Sequence, residues 1–490
     1  MAKERATRIT IDPVTRLEGH AKIEIFLDDE GDVENAYFQV PELRGFEEFC
    51  AGRPVEELPR ITPRICGVCP GAHHMAASKA VDAVFHVEPP PAGRKLRELF
   101  YCAHMIHSHI AHFYALAAPD FVLGPQADPA QRNILGIVAK VGLEIGGEVI
   151  KHRAYAQDIQ AMIGGKATHP VCGVPGGMSK PIDEEERKRI EDMAKSTVEF
   201  AKFSLQLFND VVLKNKEYVD IILGDVYTMH SYYMGLVDEK NKVNFYEGDV
   251  RVVDPEGKEF AKFKPAQYLD HVGEHVESWS YLKFPFLKQV GWKGLVEGND
   301  SGVYRVAPLA RLNAADGMAT ALAQEAYEAM FSTLGGKPVH ATLANHWARL
   351  VELMYAAERL LELSQDPEIT SPDVRSLPTA TPDEGVGIVE APRGTLFHHY
   401  KTDPRGMVTD VNLIVATGNN HAAICMSIKK AAQGLIKKGH ATEGLLNMVE
   451  MAFRAYDPCF GCATHALPGE MPLVVRIRDS DGAPLQEIVR

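Results

Sequence analysis

Two identical cysteine pairs stand at opposite ends of this 490-residue chain, Cys66 with Cys69 and Cys459 with Cys462. A CxxC pair offers two thiols close enough to bind one metal ion. A fold that joined the two pairs would make a four-thiolate site and tie the chain's ends together. Thiolates are soft ligands that select zinc, copper(I), nickel or iron over magnesium and calcium. A buried transition-metal site is therefore the strongest constraint on the architecture.

Composition narrows the setting. At this length, with 46% hydrophobic residues, the chain buries a large core. The balance of 52 basic against 66 acidic residues, net −14, disfavours nucleic acid and anionic membranes as partners. No apolar run approaches the roughly 20 residues of a membrane span. The start, MAKERATRITIDP, is charged and has no hydrophobic segment of the kind that marks a secretory signal. Eight cysteines do not make a disulfide framework here. Cys50, Cys102, Cys172 and Cys425 sit singly in mostly apolar stretches, as buried inert thiols do.

The pattern is mainly helical with β additions at the edges. Alternation on both sides of Asp-Glu-Gly-Asp predicts a hairpin over 22–40. Helical periodicity runs over about 94–117, 129–163, 184–215, 307–334 and 339–364. The segment 238–265 reads as a small β insertion, 366–382 as a loop, MVTDVNLIVAT as a strand, and 419–437 and 441–455 as helices. Without a low-complexity linker, one central long-helix bundle with peripheral β-hairpins is the economical architecture. Its β region at the amino end spans about 8–40.

The first motif, Arg64-Ile65-Cys66-Gly67-Val68-Cys69-Pro70-Gly71-Ala72-His73, immediately precedes a helical segment. Glycine lets the backbone bend until both sulfurs face one ion, and a helix start favours thiolate. His73 is placed to donate a hydrogen bond to a ligating sulfur. A thioredoxin-like redox pair needs a βαβ context, which is missing. The second motif is Asp457-Pro458-Cys459-Phe460-Gly461-Cys462-Ala463-Thr464-His465. Structural zinc sites usually space their pairs roughly 15–20 residues apart, whereas nearly the whole chain intervenes here.

With Arg16-Leu-Glu18-Gly-His20, Arg44-Gly-Phe-Glu47, the histidine-rich AHMIHSHIAHFY and Ala391-Pro392-Arg393-Gly394, these motifs resemble the large, catalytic subunit of nickel–iron hydrogenases. The likeness is greatest to the cytoplasmic multimeric kind, of methyl-viologen-reducing type, linked to heterodisulfide reductase, flavin or NAD modules. It implies the hydrogenase large-subunit fold over 1–465 as a single domain. It also implies reversible heterolytic cleavage of H2.

Residue by residue, the resemblance implies Cys66 and Cys459 as terminal nickel ligands. Cys69 and Cys462 bridge to an iron that also carries carbon monoxide and cyanide. Glu18 matches a proton-relaying glutamate. Arg393 matches an arginine over the open face of the metals, surrounding the diatomic ligands with Pro392 and Thr417. Asp457 fixes Arg393 or the surroundings of the metals. Glu47, the Leu413 carbonyl and His465 match a buried magnesium or iron site. Where many relatives carry an aspartate, this chain has Ser108, so Arg393 leans on Asp457 or water. His104, His107, His109 and His112 read as packed, hydrogen-bonded core residues.

Elementary chemistry weighs these roles. H2 is apolar and hardly acidic, so its cleavage needs a metal and a nearby base. A terminal thiolate is a plausible base, whereas a guanidinium stays protonated. Cys459 is therefore the expected first proton acceptor, Glu18 the relay, and Arg393 an electrostatic group. A relay glutamate needs the raised pKa that burial supplies.

The resemblance further implies that residues 466–490, which read as a hairpin, are a maturation extension cut after His465 by an endopeptidase. With no further cysteine clusters, the chain cannot build an iron–sulfur relay. The resemblance implies an obligate iron–sulfur small subunit, further flavin or iron–sulfur electron-transfer subunits, and a cytoplasmic location. The alternative is a non-catalytic, zinc-stapled scaffold related to the respiratory-complex quinone subunit.

Overall fold

The computed structural model describes residues 8–40, 45–277, 279–280 and 282–460, together with the strands Val474–Arg478 and Pro484–Val489. Its centre is a helix bundle. Helix Asn345–Gln365 is buried without interruption from Asn345 to Ala357, the mark of a helix surrounded on all sides. It packs against helices Glu184–Phe208 and Pro91–Ala111, and the latter also meets Leu143–Gly164. Helix Glu184–Phe208 starts on a capping box, Asp183 with Glu186, under an acidic first turn. The predicted helix over 307–334 is two helices, Pro308–Ala314 and Ala321–Thr333. Between them Gly317 has φ +148°, which favours glycine and ends the first periodicity. Gly142, at φ +93°, likewise divides 129–163 into Ile134–Val141 and Leu143–Gly164.

Among the described residues, three sheets of three or four strands flank the bundle. Strands Arg8–Ile11, Lys22–Leu27 and Val33–Gln39 form an antiparallel sheet with Ile25 opposite Ile9 and Ala36. Ile23, Ile25 and Leu27 point inward on it, against helix His421–Leu435. The insertion region holds Tyr232–Val237, Asp249–Val253 and Glu259–Phe263, with Tyr304–Arg305 added in parallel. The third sheet joins Glu384–Ala391, Gly394–Thr402 and Val408–Ile414. It lies on helix Pro70–Val84 so closely that a Cβ at Gly387 would sit 2.1 Å from the Ala76 carbonyl oxygen. The tail strands Val474–Arg478 and Pro484–Val489 pair antiparallel.

Charge is buried beside the bundle axis. Arg311 donates two hydrogen bonds of 2.6 Å to Glu352 and one of 2.9 Å to Glu390. All three side chains are fully buried, and His109 Nε2 meets Glu352 at 2.9 Å. Burial works against the Arg311 cation, but the two carboxylates outweigh it and raise its pKa. Removing one partner of such a group strands the others. Arg311→Met is therefore expected to cost about 3–5 kcal/mol in denaturant unfolding. A loss under about 1 kcal/mol, the scale of a surface pair, would contradict this.

The core also holds neutral histidines. Burial lowers His74, His109 and His421 to about 4, and His104 and His346 to about 3. Unfolded histidines protonate first as pH falls below about 6.5, so acid stabilises the unfolded chain. Each such histidine removes about 1.4 kcal/mol per pH unit until its folded value is reached. The thermal midpoint should fall steeply from pH 6.5 to 4, and a flat profile over that window would refute the buried neutral state.

Candidate metal centre

The first cysteine pair sits between two helical pieces. Cys66 closes the short turn Thr62–Ile65, and Cys69 occupies the N-cap position of helix Pro70–Val84, with Pro70 in the first turn. Proline suits that position because its missing N–H has no intrahelical role there. The bend turns the Cys69 backbone N–H onto Cys66 Sγ at 2.8 Å. Helix Pro70–Val84 thus points its positive end at both sulfurs.

Cys459 arrives from the other end of the chain. Helix Glu443–Arg454 stops, and Asp457 takes a left-handed backbone (φ +56°) that reverses the chain. The next residues pair in parallel with Glu18. The Glu18 N–H donates to the Pro458 carbonyl at 3.4 Å, and the Phe460 N–H donates to the Glu18 carbonyl at 2.8 Å. Thr417 Oγ1 accepts from the Cys459 N–H at 3.1 Å. The Cys66 and Cys459 sulfurs come within 3.6 Å, and all three of Cys66, Cys69 and Cys459 lie within 4.8 Å of one another, buried. They border a void of about 10 Å³ with His73, Arg393 and Thr417, about enough to hold one water-sized body. Convergent soft donors around such a void fit a transition metal. Cys462 and His465 lie outside the described residues.

Arg393 reaches this void from the tip of the hairpin that joins Glu384–Ala391 to Gly394–Thr402. The tip is tight because Gly394 (φ +133°) lies against Val306, where a Cβ would overlap the side chain at 2.1 Å. Pro392 is buried beside it, its carbonyl 3.5 Å from Arg311. Arg393 donates to Asp457 at 3.1 Å and meets the Ser108 hydroxyl at 3.4 Å. Asp457 is thus its carboxylate partner. Burial opposes the Arg393 charge, yet Asp457 and the two thiols more than restore it, and its pKa rises. Burial likewise resists ionising Cys66, but hydrogen bonding from Cys69 and the Arg393 charge win, and its pKa falls. Cys69 moves the other way, first through its bond to Cys66 and then through burial. One thiolate next to a fixed cation is a ready metal ligand.

The remaining predicted residues fall around this centre. Glu18 is half-buried rather than enclosed. It lies with Arg393 along a largely apolar cavity of about 460 Å³. His73 Nδ1 meets His398 Nε2 at 3.1 Å, and His398 Nδ1 meets the Tyr400 hydroxyl at 2.5 Å. Glu47 Oε1 accepts from the Leu413 N–H at 2.9 Å, which brings those two predicted residues together. His109 and His112 are hydrogen-bonded core residues. The four single cysteines are buried, and burial lifts Cys50 to about 11 and Cys172 to about 12.

Sequence reasoning gave no role to two groups. Arg16, also left-handed at φ +54°, bonds Asp120 at 2.5 Å and Asn447 at 2.7 Å. Asp120 in turn pairs with Arg454 at 2.7 Å, so the loop carrying Glu18 is tied to the helix that precedes Cys459. His398 was the other omission. Its signal was the doubled histidine on a strand after Arg393, an unusual content for an inward-facing position.

Comparison with known proteins accords with this geometry. The sequence pattern of the nickel-dependent hydrogenases matches residues 44–135 and 220–465, and a HoxL-like pattern matches 8–43. The chain is 52% identical over 482 residues to an F420-non-reducing hydrogenase iron-sulfur subunit of Archaeoglobus profundus, covering 98% of this chain and 99% of that protein. It is 38% identical over 498 residues to the NAD-reducing hydrogenase HoxS subunit beta of Cupriavidus necator, covering 99% of each. Among solved structures, an NAD+-reducing nickel–iron hydrogenase in the H2-reduced state superposes with TM-score 0.88 at 36% identity. That match covers 94% of this chain and all of the other. None of these relatives is a zinc-stapled scaffold, and that alternative falls away. Because the matched segments carry every group gathered around the three cysteine sulfurs, the chain belongs to the nickel-dependent hydrogenases, as a catalytic large subunit that acts on H2.

Proposed function

We propose that Cys66 and Cys459 are terminal ligands of nickel, and that Cys69 and Cys462 bridge it to an iron bearing carbon monoxide and cyanide. The observation that supports this is the meeting of three buried cysteine sulfurs from both ends of the chain beside one guanidinium. When bound, the metals supply the Lewis acidity that polarises H2. The protein's groups do the rest. Cys459 Sγ accepts the first proton. Glu18, whose backbone is bonded on both sides of Cys459, takes it onward through its carboxylate. Arg393, held charged by Asp457, stabilises negative charge over the site and is not the base. Pro392 and Thr417 wall the diatomic ligands, and His73 orients the sulfurs from the second layer. Glu47, the Leu413 carbonyl and His465 hold a magnesium or iron ion.

Electrons leave to an obligate iron–sulfur small subunit, then to flavin or iron–sulfur subunits, because this chain's other cysteines are scattered singly. Among the described residues no helix is long and apolar enough to cross a membrane. The cytoplasm is the proposed location. Residues 1–465 are the working domain, and 466–490 an extension removed by an endopeptidase once nickel is in place.

Glu18→Gln tests the relay. It keeps the backbone bonds to the Cys459 segment and deletes the proton carrier, so nickel content should hold. Exchange of H2 with deuterated water should fall on the order of 100-fold or more, the usual contribution of a positioned acid–base group. Unchanged exchange and turnover would remove Glu18 from the pathway.

A further inference from the structure

The turn that delivers Asp457 and Cys459 begins at the carboxyl end of helix Glu443–Arg454, where backbone carbonyls have no partner inside the helix. Side chains from two other helical segments cover two of them. His112 Nε2 donates to the Arg454 carbonyl at 2.9 Å. Both terminal nitrogens of Arg349, on helix Asn345–Gln365, donate to the Ala455 carbonyl at 3.4 Å. Arg349 is fully buried, and its Nε finds no partner among the described residues. Burial lowers its pKa to about 10, although Asp457 and Glu352 act to raise it. Enclosing a cation this way is costly, and an apolar residue of similar size would stabilise the fold as well. A cation does belong at a helix carboxyl end, where the carbonyls concentrate negative charge. Asp457, two residues on, holds a left-handed backbone, a conformation aspartate adopts more readily than most side chains.

We propose that Arg349 is a positioning residue for the metal centre. Its guanidinium caps the Glu443–Arg454 helix at the Ala455 carbonyl and, with His112 on the neighbouring carbonyl, sets the turn that aims Asp457 at Arg393 and the Cys459 sulfur at Cys66. This rests on Cys459 being a metal ligand, as proposed above. The role differs from that of Arg393, which faces the site directly. Arg349 touches neither the thiols nor the void and works through the peptide that carries a ligand.

The test compares Arg349→Gln, which loses the charge and shortens the reach, with Arg349→Lys, which keeps a charged donor. Three readouts are taken on the purified complex: the nickel paramagnetic resonance spectrum, turnover, and a crystal structure of the site. Arg349→Gln should shift the nickel g-values and lower turnover on the order of 100-fold, the cost of misplacing reacting groups by about an ångström. Its crystal structure should show the 3.1 Å Arg393–Asp457 contact opened and the 3.6 Å Cys66–Cys459 separation changed. Arg349→Lys should restore spectrum and turnover. Wild-type g-values and turnover in Arg349→Gln would overturn the proposal, as would equal damage in both variants. If Arg349→Gln fails to fold, His112→Asn decides through the same spectrum, with a shift supporting the paired cap and none refuting it. If the wild-type complex carries no nickel, the ligand assignment fails, and the crystal structures alone decide whether Arg349 sets the turn.

Discussion

Cys459→Ser should strip nickel from the purified protein and abolish H2-dependent activity altogether. A serine hydroxyl is a hard, weakly acidic donor and cannot replace a soft thiolate in a site built from Cys66 and Cys69. The turn itself should survive, because the Cys459 N–H bond to Thr417 and the Glu18 pairing are backbone-directed. Loss of metal with retained secondary structure by circular dichroism, and a thermal midpoint lowered only by the lost metal binding, is therefore the expected pairing of results. Cys425→Ser is the control. That thiol is buried away from the site, and metal analysis should find its nickel content at the wild-type level. A Cys459→Ser protein that kept nickel and activity would remove Cys459 from the ligand set.

Arg393→Met should lower turnover on the order of 100- to 1,000-fold, the range seen when a preorganised electrostatic group is removed from a water-excluded site. Two effects act together. The thiol pair loses the cation that favours the Cys66 thiolate, and Asp457 loses the guanidinium bonded to it at 3.1 Å. With Ser108 rather than a second carboxylate at 3.4 Å from Arg393, Asp457 is the carboxylate bonded to that guanidinium. Arg393→Lys should recover part of the activity, because it restores the charge without the forked geometry. Steady-state turnover at matched nickel content measures both. A wild-type rate in Arg393→Met would show that the guanidinium is a structural filler.

Much of the centre was legible in the sequence because its chemistry is local. The first CxxC carries its own geometry, and the helix start after Cys69 follows from Pro70 and the glycines around it. The hairpin over 22–40 likewise followed from alternation and a turn. What the sequence hid were relations across long separations. Nothing in the residues around Arg311 announces that it lies between Glu352 and Glu390. The hairpin tip that carries Arg393 depends on Val306 packing under Gly394, more than 80 residues earlier. The division of 307–334 into two helices turned on Gly317, whose φ of +148° outweighed a continuous apolar periodicity. Glu18 was expected to be enclosed, yet half-burial is what its place beside an open cavity allows. Arg349 shows the same limit, since its contact with Ala455 spans 106 positions and no local pattern marks it.

The central claim is that thiols from the two ends of the chain hold a nickel–iron centre. Infrared spectroscopy of the purified protein, read beside its metal content, tests it most directly. Equal amounts of nickel and iron, with carbonyl and cyanide stretching bands that move when H2 is admitted, are the predicted result. Zinc as the sole metal, with no such bands, would contradict it.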